Sequence, residues 1–221
     1  MMNNYLLVEG PDDMHTILAL CKHYDVPETF SIIPCEGIDH LLENLRLRLK
    51  TAKNNRIVGI VMDADVNIEG RWASILNILK ETNHYDCSGL TLPSGGMILT
   101  PLKSEHTKVG LWMMPNNSSN GMLEDFAMSL ARPDDPLLME AEEELQRTEA
   151  KGIQGYKPVQ RSKAKVHTYI SWQDHPGLPI GAAITARVLN PEAPTAKLFT
   201  RWLKELFTEL KTIYHGRETE P

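Results

Sequence analysis

Val58-Gly59-Ile60-Val61-Met62-Asp63-Ala64-Asp65 is a short apolar run that ends in two carboxylates one residue apart. The segment from Ile57 to Met62 is too short for a helix of its own and rich in β-branched residues, which predicts a buried strand of a parallel sheet. Asp63 and Asp65 then fall just past its carboxyl end, where open α/β sheets keep their sites. Along extended backbone, residues two apart point the same way, so both carboxylates are expected to face one spot. Two anions held this close repel unless a cation lies between them, and oxygen-only ligands favour a hard ion, Mg²⁺ or Mn²⁺. The same residues admit a plainer reading, a polar turn in which Asp63 and Asp65 cap a helix that starts near Glu69.

Upstream, Tyr5 to Val8 forms a second strand pattern and runs into Glu9-Gly10-Pro11-Asp12-Asp13. Met14, Ile17, Leu18 and Cys21 recur at helical spacing, with Pro11 suited to the first turn, so Glu9 ends a strand and Asp13 lies at a helix start. Phe30 to Pro34 is a third strand pattern, followed by a helix carrying Ile38, Leu41, Leu42, Leu45 and Leu49 on one face. Arg46, Arg48, Lys50 and Lys53 crowd its end, where cations complement the helix dipole. Trp72, Ile75, Leu76 and Leu79 mark a third helix. Three strands alternating with three helices predict a parallel sheet, and the first and third strands are often neighbours in such sheets. That neighbourhood would bring Glu9 to the two aspartates.

From His84 to Ser104 the chain is rich in turn residues and reads as a long connection with a short strand near Met97 to Thr100; Ser94-Gly95-Gly96 is a plain turn, without the Lys-Ser/Thr ending of a phosphate loop. Val109 to Met114 is a further strand, and a polar loop from Pro115 to Gly121 feeds a helix from Met122 to Leu130. Glu124 and Asp125 fall in its first turn, either answering the helix dipole or serving a site. An acidic helix through Glu140, Glu142, Glu143 and Glu144 follows. Lys157, Arg161, Lys163, Lys165 and His167 form a basic cluster that either holds a phosphate backbone or balances the acidic helix. A helix is expected from near Lys165 to Trp172, a loop over Pro176 to Gly181, and an amphipathic helix carrying Leu198, Phe199, Trp202, Leu203, Leu206 and Leu210 whose stripe is core.

The 221 residues allow one large domain or a core with an appendage, and 42% hydrophobic with 24% charged residues is the make-up of an ordinary globular protein. A net charge of −6 argues against gripping nucleic acid by charge alone. No stretch approaches the ~18 apolar residues of a membrane span. The first residues lack the basic region and apolar core of a secretion signal, and Cys21, Cys35 and Cys87 have no metal-ligand spacing, so a cytoplasmic protein with reduced thiols is expected.

Leu6-Leu7-Val8-Glu9-Gly10-Pro11-Asp12-Asp13 together with Val61-Met62-Asp63-Ala64-Asp65 resembles the Toprim domain, the catalytic fold of topoisomerases, bacterial primases and OLD-family (overcoming lysogenization defect) nucleases. The family pattern is Glu-Gly at the end of the first strand, Asp three residues after that Gly, and Asp-x-Asp after the third strand. The resemblance covers residues 1–130 as a catalytic domain and implies an α/β, Rossmann-like parallel sheet flanked by helices; residues 131–221 are expected to form a mainly helical extension packing on that core. It implies a metal-dependent nuclease acting on DNA or RNA. Glu9, Asp13, Asp63, Asp65 and Glu124 would be metal ligands for Mg²⁺ or Mn²⁺, with Glu9 either ligand or general base and Lys165 a stabiliser of transition-state charge. Asn67 stands where the topoisomerase form carries a further acid. A second reading is a non-catalytic metal- or nucleotide-binding subunit of a larger complex, with a protein partner such as an ATPase subunit.

Overall fold

A computed structural model describes residues 4–51 and 56–208, so Lys53 and Leu210 lie outside the described residues. The strands β1 (Tyr5–Val8), β2 (Ser31–Pro34), β3 (Ile57–Asp63), β4 (Met97–Leu99) and β5 (Lys108–Met114) form one open sheet in the order β2-β1-β3-β5-β4. The pairs β1–β2, β1–β3 and β3–β5 are parallel, and β4 adds an antiparallel edge. As the alternation predicts, β1 and β3 are neighbours, with Val8 level with Val61. Helices α1 (Pro11–His23) and α2 (Ile38–Thr51) make the crossovers between the first three strands, and α3 (Ile68–Thr82) leaves the end of β3.

The pleat divides the core in two. Leu7, Val58, Ile60, Met62, Leu111 and Met113 face α2 and α3, packing on Leu41, Leu45, Ile75 and Leu79. Leu6, Val8, Ile57, Val61, Trp112 and Met114 face the other way, against α1 and the helices of the second half. Those helices are α4 (Leu123–Ser129), α5 (Pro136–Ala150), α6 (Arg161–Ser171), α7 (Ile180–Thr185) and α8 (Pro194–Phe207). Phe126, Tyr169, Ala183, Phe199 and Trp202 belong to the same buried cluster as Leu6 and Val61, so the helical half shares its core with the sheet.

Two glycines make room for α8. Gly59 and Gly110 lie level across β3 and β5, and a Cβ on Gly110 would stand 2.4 Å from Leu206 Cδ2. The bare backbone at that point is where Leu206 rests on the sheet. Trp202, fully buried, donates from Nε1 to the Met97 carbonyl at 3.0 Å and crosses Gly96, whose φ of +86° no side chain adopts comfortably.

Two local expectations need correction. The helix expected from Lys165 begins at Arg161, after a 3-10 turn over Pro158–Gln160, so Arg161, Lys163, Lys165 and His167 lie along one helix. Arg161 and Lys165, four residues apart and so on one face of the helix, both meet Glu142 of α5, which offsets their mutual repulsion. The loop expected over Pro176 to Gly181 gives way to α7 at Ile180. Gly181 is helical there because its missing side chain lets α7 cross α1: a Cβ would come within 2.6 Å of the His15 carbonyl oxygen.

Candidate functional site

The carboxyl ends of β1 and β3, side by side, deliver Glu9 and Asp63 to one place. Glu9 folds across the sheet end, and its Oε1 accepts the Asp63 backbone N–H at 2.8 Å. Asp13, in the first turn of α1, accepts the Gly10 N–H through Oδ2 at 2.9 Å and is buried. Asp63 Oδ1 accepts the Leu123 N–H at 2.9 Å, the first amide of α4. Glu124, next along that helix, is buried as well.

Asp65 departs from the extended geometry. Its φ is +50°, and its backbone makes a two-bond bridge with Gly121, N to O at 2.8 Å and 2.7 Å. The left-handed turn swings its carboxylate to Arg71, with which it forms an ion pair. The expectation that residues 63 and 65 project alike from extended backbone therefore fails at Asp65. Neither aspartate caps α3: Asn67 does, accepting the Gly70 N–H at 2.9 Å.

The acids feel one another strongly. Burial first, then the charges of Glu9, Asp13, Glu124 and Asp65, push the Asp63 carboxyl up to about 9. Asp13 is pushed up to about 7, again by burial above all, with Glu9 and Glu124 adding to it against the Gly10 hydrogen bond. Glu9 is raised by burial and by Asp65, while the Asp63 N–H and Arg71 pull it down. Asp63 thus holds a proton at neutral pH. A proton is what a buried carboxylate takes up when no other positive charge is at hand.

Lys165 does not join this group. Its Nζ binds Glu142 at 2.8 Å, beside Arg161, which also reaches Glu149 at 2.9 Å. Those partners, Arg161 foremost, hold the Glu142 carboxyl down at about 2. The lysine that faces the acids is Lys163, its Nζ 3.7 Å from Glu124 Oε1. Asp125 is taken by structure, accepting the Met122 N–H at 2.9 Å and the Ser162 hydroxyl at 2.6 Å, which ties α6 to the start of α4.

Arg71 was not singled out from the sequence, and Lys163 was named only as one member of the basic cluster. A helix recognised from Arg161 would have separated Lys163 from Lys165, since positions two apart on a helix face different ways. Nothing comparable points to Arg71, because its contact depends on the left-handed turn at Asp65.

A family model described as a protein of unknown function, DUF3226, matches residues 3–208. The chain belongs to this DUF3226 family. No curated protein and no solved structure matches it. The DUF3226 match spans the sheet and α4 to α8 together, so the acids and the helices that wall them in are one family unit.

The donor chemistry, carboxylate oxygens alone, suits a hard divalent cation. As the side chains stand, no three His, Cys, Asp or Glu among the described residues converge closely enough to hold a metal ion. Arg71 holds Asp65 aside. Among the described residues no helix is long and apolar enough to cross a membrane.

Proposed function

We propose that the chain is a Mg²⁺- or Mn²⁺-dependent phosphoryl-transfer enzyme, a nuclease of DNA or RNA, using a Toprim-like acidic site. The observation that carries this reading is the gathering of Glu9, Asp13, Asp63 and Glu124, with Asp65 alongside, at the carboxyl ends of two adjacent parallel strands, where burial first and then the neighbouring carboxylates push the Asp63 carboxyl up to about 9. Crowding of buried like charge at a sheet's carboxyl end costs stability and is found where function needs it. A divalent cation there would offset the charge of a phosphate and lower the pKa of a bound water.

Glu9 and Asp63 each commit one oxygen to a backbone N–H, which fixes the carboxylates and leaves the second oxygen of each to a ligand. Asp65 supplies a further carboxylate once Arg71 releases it. Arg71 pairs with Asp65 and Lys163 reaches Glu124, and both are cations able to receive phosphate oxygens. Lys165 serves α5 and α6 instead.

Incubating the protein with plasmid, single-stranded DNA and RNA in Mg²⁺ and in Mn²⁺ tests this. Cleavage by the wild type and its loss in Asp63→Asn are expected; cleavage that survives that change removes Asp63 from the chemistry. The Arg71 ion pair favours a second reading, a non-catalytic metal- or nucleotide-binding subunit of a larger complex, with an ATPase subunit as one class of partner. That reading gains if cations raise thermal stability while all three substrates stay intact.

A further inference from the structure

Beside the acidic site, α5 and α6 part to leave a continuous groove. A cavity of about 540 Å³ is lined by Tyr156, His167 and Trp172 among others. A second of about 240 Å³ shares Tyr156 and His167 with it and is bounded by Lys163. Lys163 is the same side chain that reaches Glu124, so it stands between the groove and the acids. Its far end carries Trp172, 42% exposed at the end of α6, with Ile153 nearby on the rim at 67%. Glu144 on the wall is paired with Arg147, which offsets its charge.

An exposed indole, an apolar rim and, further along the same helix, a lysine together suit a ligand that has planar apolar faces and a negative charge. We infer that this groove binds the bases of single-stranded nucleic acid, with Trp172 and Tyr156 as stacking faces and Lys163 holding the phosphate that leads into the acidic site. This inference rests on the nuclease reading and names the form of its substrate. The Tyr156 ring is held in place by its hydroxyl, which donates to Glu149 at 2.7 Å. A helix rises ~1.5 Å per residue, so Lys163 and Trp172 lie ~13 Å apart along α6, the length of about four stacked nucleotides at ~3.4 Å each. Paired bases present no free faces, which selects single strands over duplex.

Fluorescence anisotropy of a labelled oligothymidylate about six nucleotides long, in EDTA, separates binding in the groove from any metal-dependent step. The wild type should bind it, and an oligouridylate of the same length comparably. Trp172→Ala should weaken binding at least about fivefold, the lower end of what one stacked base contributes, whereas Trp172→Phe, which keeps a stacking face, retains most of it. A duplex of equal length should bind more weakly. Melting curves of both variants exclude unfolding, since Trp172 is half exposed. Equal affinity of wild type and Trp172→Ala, equal affinity for duplex, or no binding by the wild type overturns the groove. None of these results touches the acidic site, whose test is loss of cleavage in Asp63→Asn.

Discussion

Burial first, and then the neighbouring carboxylates, push the Asp63 carboxyl far above its ordinary range. Its folded pKa, about 9, lies above the ordinary 3.8, so the stability it contributes is complete below pH 3.8 and is lost as pH rises through about 9. Asp13 follows the same sign over a narrower span, from 3.8 to about 7. Asp63→Asn keeps an oxygen for the Leu123 N–H and never ionises. In EDTA its melting temperature should therefore exceed that of the wild type above pH 4, by a margin that widens towards about pH 9. A margin that shrinks with rising pH would show that Asp63 is ionised and comfortably paired. At the neighbouring position, the Arg71–Asp65 pair is part exposed and contributes no more than about 1 kcal/mol to stability. Arg71→Gln should fold normally and, by freeing Asp65, reach its full Mn²⁺-induced stabilisation at lower Mn²⁺ than the wild type. An unchanged Mn²⁺ titration would mean that Asp65 takes no part in holding the cation.

Among the elements, α8 is the one that locks sheet and helices together. Trp202→Ala empties a fully buried site and strands the Met97 carbonyl, so a loss of about 3 to 5 kcal/mol in denaturant unfolding is expected. Gly110→Ala pushes a methyl into Leu206 and should cost about 1 to 3 kcal/mol; a neutral result would mean that α8 rides more loosely on the sheet than its contacts imply. The α8 stripe was legible in the sequence because Phe199, Trp202, Leu203 and Leu206 repeat at helical spacing. So were β1 and β3, whose apolar runs end in acids, and their adjacency followed from the βαβ alternation. The glycines were not legible, since Gly59 and Gly110 lie far apart in the chain and acquire meaning only when level across two strands. The turn of Asp65 was hidden too, because a non-glycine residue at positive φ is held by its bridge to Gly121, a tertiary contact. Likewise α7 read as a loop because Gly181, a helix weakener on its own, is required by the crossing with α1.

At the scale of the whole molecule, the sheet supplies Glu9 and Asp63, while the helices of the second half close the site around them. The Leu123 N–H, buried Glu124 and Lys163 all come from α4 and α6, and Ser162 ties those two helices together. The protein therefore spends stability on holding like charges together with its entire fold, and a cation bound there should return it. A ligand at 100 times its dissociation constant stabilises by about 2.7 kcal/mol, which for a chain of this size is a rise of about 5 to 10 °C. The decisive measurement is the melting temperature at neutral pH, with and without saturating Mn²⁺, for the wild type and Asp63→Asn. A rise of that order in the wild type, largely absent in the variant, is the expected result; equal shifts in both proteins, or none in the wild type, would contradict a cation site built on Asp63.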